Sequence, residues 1–466
     1  AGYQTRRGDI KRVNGKGESM TFENKGKENN GATYGRRSDW QNLYTIAKKY
    51  YEALLADPGN AQFHLTDPRG ASDKSGRTFN NPYQYFFEQM HMDDAIYADE
   101  SIYEYPMQQG GGNDGRPYSF GRPSSGGSKA AYPCKSYGQG RINPAYFYGI
   151  FDPNDMRRDV SITMTGSNGK GVEKLIPFVP NSKAEGGGLT LNKWDENRQA
   201  NPWVAAQRKS GINGPYMRMS EVYLGYAEVC AALGDVVTGK QYLKTVRERS
   251  FPQGLANTDA FIASFGNDLV RAIIEERGFE YAGEGDRRWT LIRSGYLPED
   301  IKRIKDMTKA MMDGLATKGY YEFENGNIIS AYIWTKLVDA KTIYGHRLTA
   351  QCPTDKVNDP VLYPGWRGQK DNWEEMGLNY GSSTPATNLA IKGLFEIVSE
   401  EEAASLESQG YTKVNWGIDL VDNRDEYDKY LFWDYDYVSA PIYLWPFTPN
   451  VMAAGGFTNG YGFKQE

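Results

Sequence analysis

Cysteine and histidine are both scarce in this chain, which has three of each among its 466 residues. The cysteines lie far apart and in no metal-ligand spacing, so neither a disulfide framework nor a zinc site is indicated; they are Cys134, Cys230 and Cys352. A solitary histidine is more often structural than a metal ligand, and all three are solitary: His64, His91 and His346. The sequence also has no Gly-x-Ser-x-Gly segment, so a serine hydrolase of that type is not indicated.

Long apolar runs and an excess of positive charge are missing as well. No run approaches the roughly 18 apolar residues that a membrane-spanning helix needs, so attachment to a membrane would require a lipid or a partner protein. The formal net charge is -5 and the isoelectric point is about 5.6. Such a chain has no basic field for nucleic acid, although local binding of a polyanion is left open.

Aromatic residues, by contrast, are abundant. They make up 14% of the chain, with 34 tyrosines and 10 tryptophans, beside a modest hydrophobic fraction of 39%. Much of the apolar surface therefore carries hydrogen-bonding groups, as tyrosine and tryptophan do, and such surfaces suit sugars. The alternative is that these rings simply fill an irregular, loop-rich core.

The first clear helix is predicted after residues 1–37, which are polar, glycine-rich and aperiodic and are expected to form a loop. Apolar residues then recur on one helical face: Trp40, Leu43, Ala47, Tyr50, Tyr51 and Leu54. Ser38 or Asp39 would cap this helix, and Asp57-Pro58-Gly59 would end it.

A second helix is predicted from Pro215, in its first turn, to Leu233. One apolar face contains Met219, Val222, Tyr223, Tyr226, Val229, Cys230 and Leu233, and a smaller one contains Leu224, Ala227 and Ala231. A turn at Gly234-Asp235 joins it to a helix over residues 239–249, which makes a helix-turn-helix unit of the kind found in tetratricopeptide arrays.

Fixed charges accompany these apolar faces. Arg218 and Glu221 are spaced to pair with each other, whereas Glu228 needs a partner elsewhere. A second helical block, residues 273–293, supplies further charges: Glu276, Arg277, Glu280, Arg287 and Arg288. Because buried ions need partners whatever the function, these residues are interpreted as a structural charge lattice between helices rather than as catalytic groups.

Together these blocks resemble a known family. Residues 215–228 read P-x-x-R-x-S-E-x-x-L-x-x-A-E, and residues 273–293 read I-x-x-E-R-x-x-E-x-x-x-E-G-x-R-R-W-x-L-x-R. With the segments at 100–104, 443–450 and 459–462, the pattern resembles the SusD/RagB family of nutrient-binding outer-membrane lipoproteins. The resemblance runs from about Asp39 to the C-terminal end.

The resemblance implies a mainly α fold, in which tetratricopeptide-like helix pairs support a large loop-rich ligand-binding region. The expected organisation is one domain over 1–466, comprising a polar loop (1–37), repeat-type helices (38–106), the ligand-binding region (107–214) and a C-terminal region (215–466). It implies a lipid anchor on the extracellular face of the outer membrane and a SusC-like TonB-dependent β-barrel transporter as partner. The chain opens at Ala1 with no cysteine before Cys134, so we expect that the family's N-terminal portion, with the anchor, is missing.

A ligand site is expected in the loops that precede the Arg218 helix, where the resemblance places contacts. Residues 108–140 are rich in glycine, serine and proline with interleaved aromatic residues, and loops of this length are usually functional or disordered. Aromatic platforms and amide or guanidinium groups are what sugar binding requires. The predicted ligand residues are Asn113, Arg116, Tyr118, Phe120, Tyr137 and Trp203.

The predicted function is non-catalytic capture of oligosaccharides and their delivery to the transporter, over which the protein closes as a lid. One alternative is a glycoside hydrolase, which would need two carboxyl groups roughly 5–10 Å apart. Another is a SusD-like receptor for peptides. No organic cofactor is expected. Residues 419–436 concentrate acidic side chains and are predicted as a solvated acidic loop, with calcium as the weaker interpretation because the helix-loop-helix calcium spacing is missing.

Overall fold

The computed structural model describes residues 12–13, 19–20, 39–68, 81–91, 97–112, 115–124, 135–167, 173–180, 187–195, 208–339, 387–431 and 448–456. Two of the predicted ligand residues, Asn113 and Trp203, lie outside these ranges, as do residues 443–447 and 459–462 of the closing motif.

Helices dominate the described residues, and the predicted mainly α fold is confirmed. They are α1 (Trp40–Ala56), α2 (Pro82–Gln89), α3 (Gly115–Phe120), a π-helix (Tyr146–Ile150), α4 (Arg157–Ser161), α5 (Met219–Ala232), α6 (Val236–Glu248), α7 (Thr258–Ala263), α8 (Leu269–Glu280), α9 (Asp286–Ser294), α10 (Leu297–Lys318), α11 (Glu400–Ser408), α12 (Gly417–Asp422), α13 (Arg424–Leu431) and α14 (Pro449–Gly455).

The strands are short and form small antiparallel sheets. They are β1 (Arg12–Val13), β2 (Ser19–Met20), β3 (Ser101–Tyr105), β4 (Ile162–Thr163), β5 (Thr165–Ser167), β6 (Glu173–Leu175), β7 (Thr190–Leu191), β8 (Gly214–Arg218), β9 (Tyr320–Glu322), β10 (Ile328–Ser330), β11 (Tyr332–Asp339), β12 (Thr387–Lys392) and β13 (Thr412–Asn415). The largest sheet has the order β12-β11-β13, and the others are pairs: β1-β2, β3-β8, β4-β7, β5-β6 and β9-β10.

The predicted helix pair is present as α5 and α6. Gly234 takes a positive φ of 93° in the turn, which a glycine adopts without a Cβ clash, and Asp235 then caps α6. Leu224, Leu243 and Ile273 are fully buried where α5, α6 and α8 meet, so the pair is held by packing of its apolar faces. The first helix, α1, also ends before Asp57 as predicted, and it packs against α5.

The Asp235 cap of α6 allows a direct test of the predicted turn between the two helices. The Asp235 side chain accepts a hydrogen bond of 3.2 Å from the Thr238 backbone N–H. Asp235→Ala is expected to lower the free energy of unfolding by about 1 kcal/mol, because it leaves one backbone donor of the first turn without its acceptor. Urea denaturation would measure this, with Val237→Ala as the control, since Val237 is 83% exposed on the same helix. Equal effects of the two substitutions would contradict a capping role.

Three sequence expectations are wrong. Pro215 lies in strand β8 opposite Glu104, so α5 begins only at Met219. The expected acidic loop is helical over most of its described part, in α12 and α13, because Leu420 and Tyr427 turn into the main core. The loop expected over residues 1–37 contains the paired strands β1 and β2.

The main hydrophobic core reaches α8 through Phe279, whereas the helix pair packs on this helix through Ile273. It joins the segment around the π-helix to α10 and to the strands that follow, and Trp416 is its largest fully buried side chain. The indole Nε1 of Trp416 donates a hydrogen bond of 2.8 Å to the hydroxyl of Tyr148. The polar tips of these two buried rings therefore satisfy each other within the core.

Candidate functional site

Arg218 is the centre of a buried ion network. It is the last residue of β8 and has an extended backbone, so its side chain leaves the strand and enters the space between β3, α5 and α8. Its Nη1 lies 2.9 Å from Glu100 Oε1 and 2.5 Å from Glu280 Oε1, and its Nη2 lies 3.0 Å from Glu284 Oε1. The predicted pairing of Arg218 with Glu221 is therefore wrong.

Further ion pairs extend this network through Glu280 and Glu276. Arg249 and Arg157 each approach Glu280, at 2.8 Å and 3.0 Å, and Arg157 also lies 2.7 Å from Glu276. The network, here called the inner lattice, has five cations and five carboxylates: Arg157, Lys193, Arg218, Arg247 and Arg249 with Glu100, Asp155, Glu276, Glu280 and Glu284. These side chains are at most 7% exposed, so formal neutrality is what makes the burial tolerable.

The inner lattice fixes the ionisation of its members. Burial by itself raises the pKa of Glu280, but the charges of Arg218, Arg249 and Arg157 outweigh it and hold that pKa well below the ordinary value. Glu100 follows the same pattern, because Arg249 and Arg218 overcome the effect of its burial and lower its pKa. Burial lowers the pKa of the Lys193 ammonium to about 8, although Glu284, at 2.6 Å, opposes the shift.

Separate pairs surround the inner lattice on the helices. Arg277 binds Glu221 and Asp286, at 2.6 Å in each case, and thereby joins α8 to α5 and α9. Arg287 lies 2.7 Å from Glu275 and also pairs with Asp300. Glu228 on α5 accepts two hydrogen bonds from Arg293 on α9, at 2.5 Å and 2.7 Å. These outer pairs include Glu221, Glu228, Arg277 and Arg287, which the sequence assigned to a structural lattice.

The region predicted to bind ligand brings Tyr118 and Tyr137 together. Tyr118 lies on the short helix α3, and the Tyr137 backbone N–H donates to the Tyr118 carbonyl over 2.8 Å, which ties residues 135–140 to that helix. The two rings meet edge to face with their centroids 5.1 Å apart. Two cations adjoin them: Arg208 lies 4.3 Å above the Tyr118 ring, and Lys135 lies 5.1 Å from the Tyr137 centroid. These four residues are here called the tyrosine–cation cluster.

The predicted ligand residues of α3 differ in accessibility. Tyr118 is only 6% exposed, and burial together with its contact to Tyr137 raises the pKa of its hydroxyl. Its ring is therefore a support for the surface and does not offer a free face for stacking. Phe120, at the end of the same helix, is 45% exposed and does offer ring surface to solvent. Arg116 is half-buried and lies 5.9 Å from the Trp194 ring.

Close packing against Gly214 attaches Arg116 to the β3-β8 ladder. A Cβ atom at position 214 would lie 1.1 Å from Arg116 Nη1, so the guanidinium occupies the space that a side chain there would need. The ladder itself continues beyond the strands, because Met107 N donates to Asn213 Oδ1 and Gly110 N donates to the Lys209 carbonyl. The cluster is thus positioned at the end of a hydrogen-bonded ladder rather than in an unattached loop.

Sequence reasoning missed Arg208 and Lys135, and it also missed an exposed row of tyrosines on the ladder. Tyr103, Tyr105 and Tyr216 are 53%, 56% and 74% exposed. Tyr103 and Tyr105 alternate with Glu104, and this two-residue period could have predicted a strand with both tyrosines on one face. No comparable signal existed for Arg208, because its contact with Tyr118 joins residues that are far apart in the chain.

In the described ranges, no group of three or more histidine, cysteine or acidic side chains is arranged to hold a metal ion. Within those same ranges, none of the helices combines the length and the apolar character that crossing a membrane requires.

Comparison with solved structures finds similar chains in Bacteroides. Surface glycan-binding protein A from Bacteroides uniformis is 20% identical, with 55% of this chain and 46% of that chain covered and a TM-score of 0.36. A SusD homolog from Bacteroides thetaiotaomicron is 17% identical, with 59% and 56% covered and a TM-score of 0.34. Surface glycan-binding protein A from the same organism, in complex with laminarihexaose, is 18% identical, with 56% and 52% covered and a TM-score of 0.37. The chain spans about half the length of these solved structures.

Comparison with curated proteins finds no match. The family model described as the SusD family, in contrast, matches residues 61–446, which is most of the chain. The match includes both charged helical blocks and the entire described part of the predicted ligand region. The resemblance read from the sequence motifs is confirmed, and the chain belongs to the SusD family.

Proposed function

We propose that this protein is a non-catalytic receptor for oligosaccharides at the cell surface. The observation that carries the proposal is membership of the SusD family over residues 61–446. The chemistry of the tyrosine–cation cluster supports it, because sugar recognition uses aromatic surface for the ring faces and polar groups for the hydroxyls. Phe120 and Tyr137 would supply ring surface, with Arg116 nearby as a donor, and Tyr118 would hold them in place.

Delivery to a transporter is the second part of the proposal. We infer that the protein is anchored by a lipid on the extracellular face of the outer membrane and closes over a SusC-like TonB-dependent barrel as a lid. Co-purification of the tagged full-length protein from detergent-solubilised outer membranes tests this. Recovery of such a barrel would support the partnership, and recovery of the protein alone at native expression would contradict it.

The environment of the patterned acids supports a receptor rather than a hydrolase. A glycosidase needs a carboxyl group whose raised pKa lets it donate a proton. Glu280 and Glu228 have lowered pKa values instead, because the neighbouring arginines outweigh their burial. Glu221 forms an ion pair with Arg277, and Glu276 forms ion pairs with Arg157 and Arg247. These carboxylates are suited to holding helices together and not to general acid catalysis.

A glycan-array screen on the purified protein is the direct test, with each bound oligosaccharide re-examined for chain shortening after long incubation. Binding with the oligosaccharide left intact is the expected result. Shortened products would make the hydrolase interpretation primary, and binding of peptides but no glycan would indicate a peptide receptor.

Phe120→Ala is expected to weaken binding of an array-positive oligosaccharide by about 1–3 kcal/mol, the scale of stacking on planar ligands. The fold should be unaffected, because Phe120 is 45% exposed. Isothermal titration calorimetry would measure the change. Tyr50→Ala is the matched control, since Tyr50 is 67% exposed on α1. Unchanged affinity in Phe120→Ala would remove this helix end from the site.

A further inference from the structure

The two cations of the tyrosine–cation cluster have different neighbours from the buried arginines of the inner lattice. Arg157, Arg218 and Arg249 each lie within 3.0 Å of a carboxylate oxygen. Within the described part of the chain, Arg208 and Lys135 form no ion pair with a carboxylate, and their neighbours are the Tyr118 and Tyr137 rings. Among the described residues, each ring therefore has beside it a cation that no carboxylate pairs with.

The position of Arg208 is held by an unusual backbone. Its φ of 63° lies in the left-handed region, which residues other than glycine rarely adopt. Strain of this kind persists where the surroundings fix it, and it is concentrated at binding and switch sites. Here the next residue, Lys209, joins the ladder through its carbonyl, and the guanidinium of Arg208 lies 4.3 Å above Tyr118. The residue is exposed, so its N–H groups can reach a ligand.

The Arg208 guanidinium has N–H donors to spare for an anion. Its contacts with the Tyr118 ring and hydroxyl use only part of its five N–H donors, and the others can match the two oxygens of a carboxylate or sulfate. Lys135 adds a point charge over the adjoining ring. The chain as a whole carries a net charge of -5, so these cations form a local positive region on an acidic protein.

From this geometry we infer that the site selects acidic oligosaccharides, in which a carboxylate or sulfate group binds Arg208 and Lys135 beside Phe120 and Tyr137. The inference rests on the proposed glycan receptor and specifies its class of ligand. Ring faces of the sugar would contact the aromatic surface, and the anionic substituent would be the feature that distinguishes this ligand from a neutral glycan.

The test compares matched probes by calorimetry on the full chain. Oligogalacturonides carry carboxylates, the same oligosaccharides after carboxyl reduction are neutral, and chondroitin sulfate oligosaccharides add sulfate. We expect at least one acidic probe to bind about tenfold more tightly than the reduced probe, with the advantage shrinking as salt is raised. Preference for the carboxylate probe or for the sulfated probe would identify the anionic group.

Variants assign the preference to the cluster. Arg208→Gln and Lys135→Gln should each reduce the ratio of acidic-probe to reduced-probe affinity several-fold. Lys302→Gln is the control, because Lys302 is 62% exposed on α10 and pairs with Asp306 one turn further along that helix. If Arg208→Gln fails to fold, Lys135→Gln carries the test alone, since Lys135 lies outside the strained turn.

The possible results separate this inference from the proposed function. Equal binding of acidic and reduced probes, or an acidic preference that survives both variants, would overturn the inference while the glycan receptor stands. Absence of binding to these probes and to every glycan of the array would overturn the proposed function itself. An acidic preference lost in the variants, and retained in Lys302→Gln, would support both.

Discussion

Replacing Arg218 with alanine is expected to lower the free energy of unfolding by about 3–5 kcal/mol. The guanidinium lies within 3.0 Å of oxygens of Glu100, Glu280 and Glu284, and its side chain is 1% exposed. Truncation would leave these carboxylates buried away from water. The inner lattice would then contain fewer cations than carboxylates. The loss is a desolvation penalty, so it greatly exceeds the value of a surface ion pair. Urea denaturation at neutral pH would measure it.

A surface pair on α10 provides the control for this experiment. Lys302 and Asp306 are 62% and 64% exposed, so Lys302→Ala should change the unfolding free energy by less than about 1 kcal/mol. Glycan affinity of the folded fraction of Arg218→Ala should stay near that of the parent protein, because no residue of the inner lattice is among those proposed to bind the ligand. A loss below about 1 kcal/mol would show that the network is not the buried structural element described above.

Acidification is expected to destabilise the protein below the ordinary pKa of glutamate, about 4.3. The pKa values of Glu100, Glu228 and Glu280 are lowered in the folded state, because their arginine neighbours outweigh the effect of burial. Arg287, Arg303 and Arg271 overcome burial in the same way at Glu275 and lower its pKa to about 2. Between pH about 4.3 and pH about 2, the unfolded chain therefore binds more protons than the folded chain. Stability is therefore fully present above pH about 4.3 and is lost as the pH falls towards about 2.

The slope of stability against pH measures how many carboxylates contribute. Each proton taken up on unfolding adds about 1.4 kcal/mol per pH unit, so Glu228→Gln should reduce the slope by up to that amount below pH 4. Glu228 suits this test because its carboxylate accepts two hydrogen bonds from Arg293, at 2.5 Å and 2.7 Å, and lies outside the inner lattice. Glu401→Gln, on the exposed side of α11, should leave the slope unchanged. Identical slopes in both variants and the parent would contradict the assigned direction of the Glu228 shift.

Local periodicity was enough to predict α1 and the α5-α6 pair nearly to their ends. A helix closes its hydrogen bonds within four residues, so apolar spacing and a turn glycine such as Gly234 contain most of the information. The same local reasoning misplaced Pro215, because its strand conformation depends on β3, more than a hundred residues earlier in the chain. Membership of the SusD family could also be recognised from the motifs, because their order and spacing are visible in the sequence and require no knowledge of contacts.

Partner choice was decided by the tertiary structure alone. The sequence indicated that Arg218 must be neutralised, but its partners Glu100 and Glu280 lie 118 and 62 positions away, while nearby Glu221 pairs with Arg277. The sequence showed Tyr118 as an aromatic residue in a glycine-rich segment. Only the fold buries Tyr118 and places Arg208 over its ring. Side-chain chemistry fixes what each residue needs, whereas the packing of distant elements determines which residue supplies it.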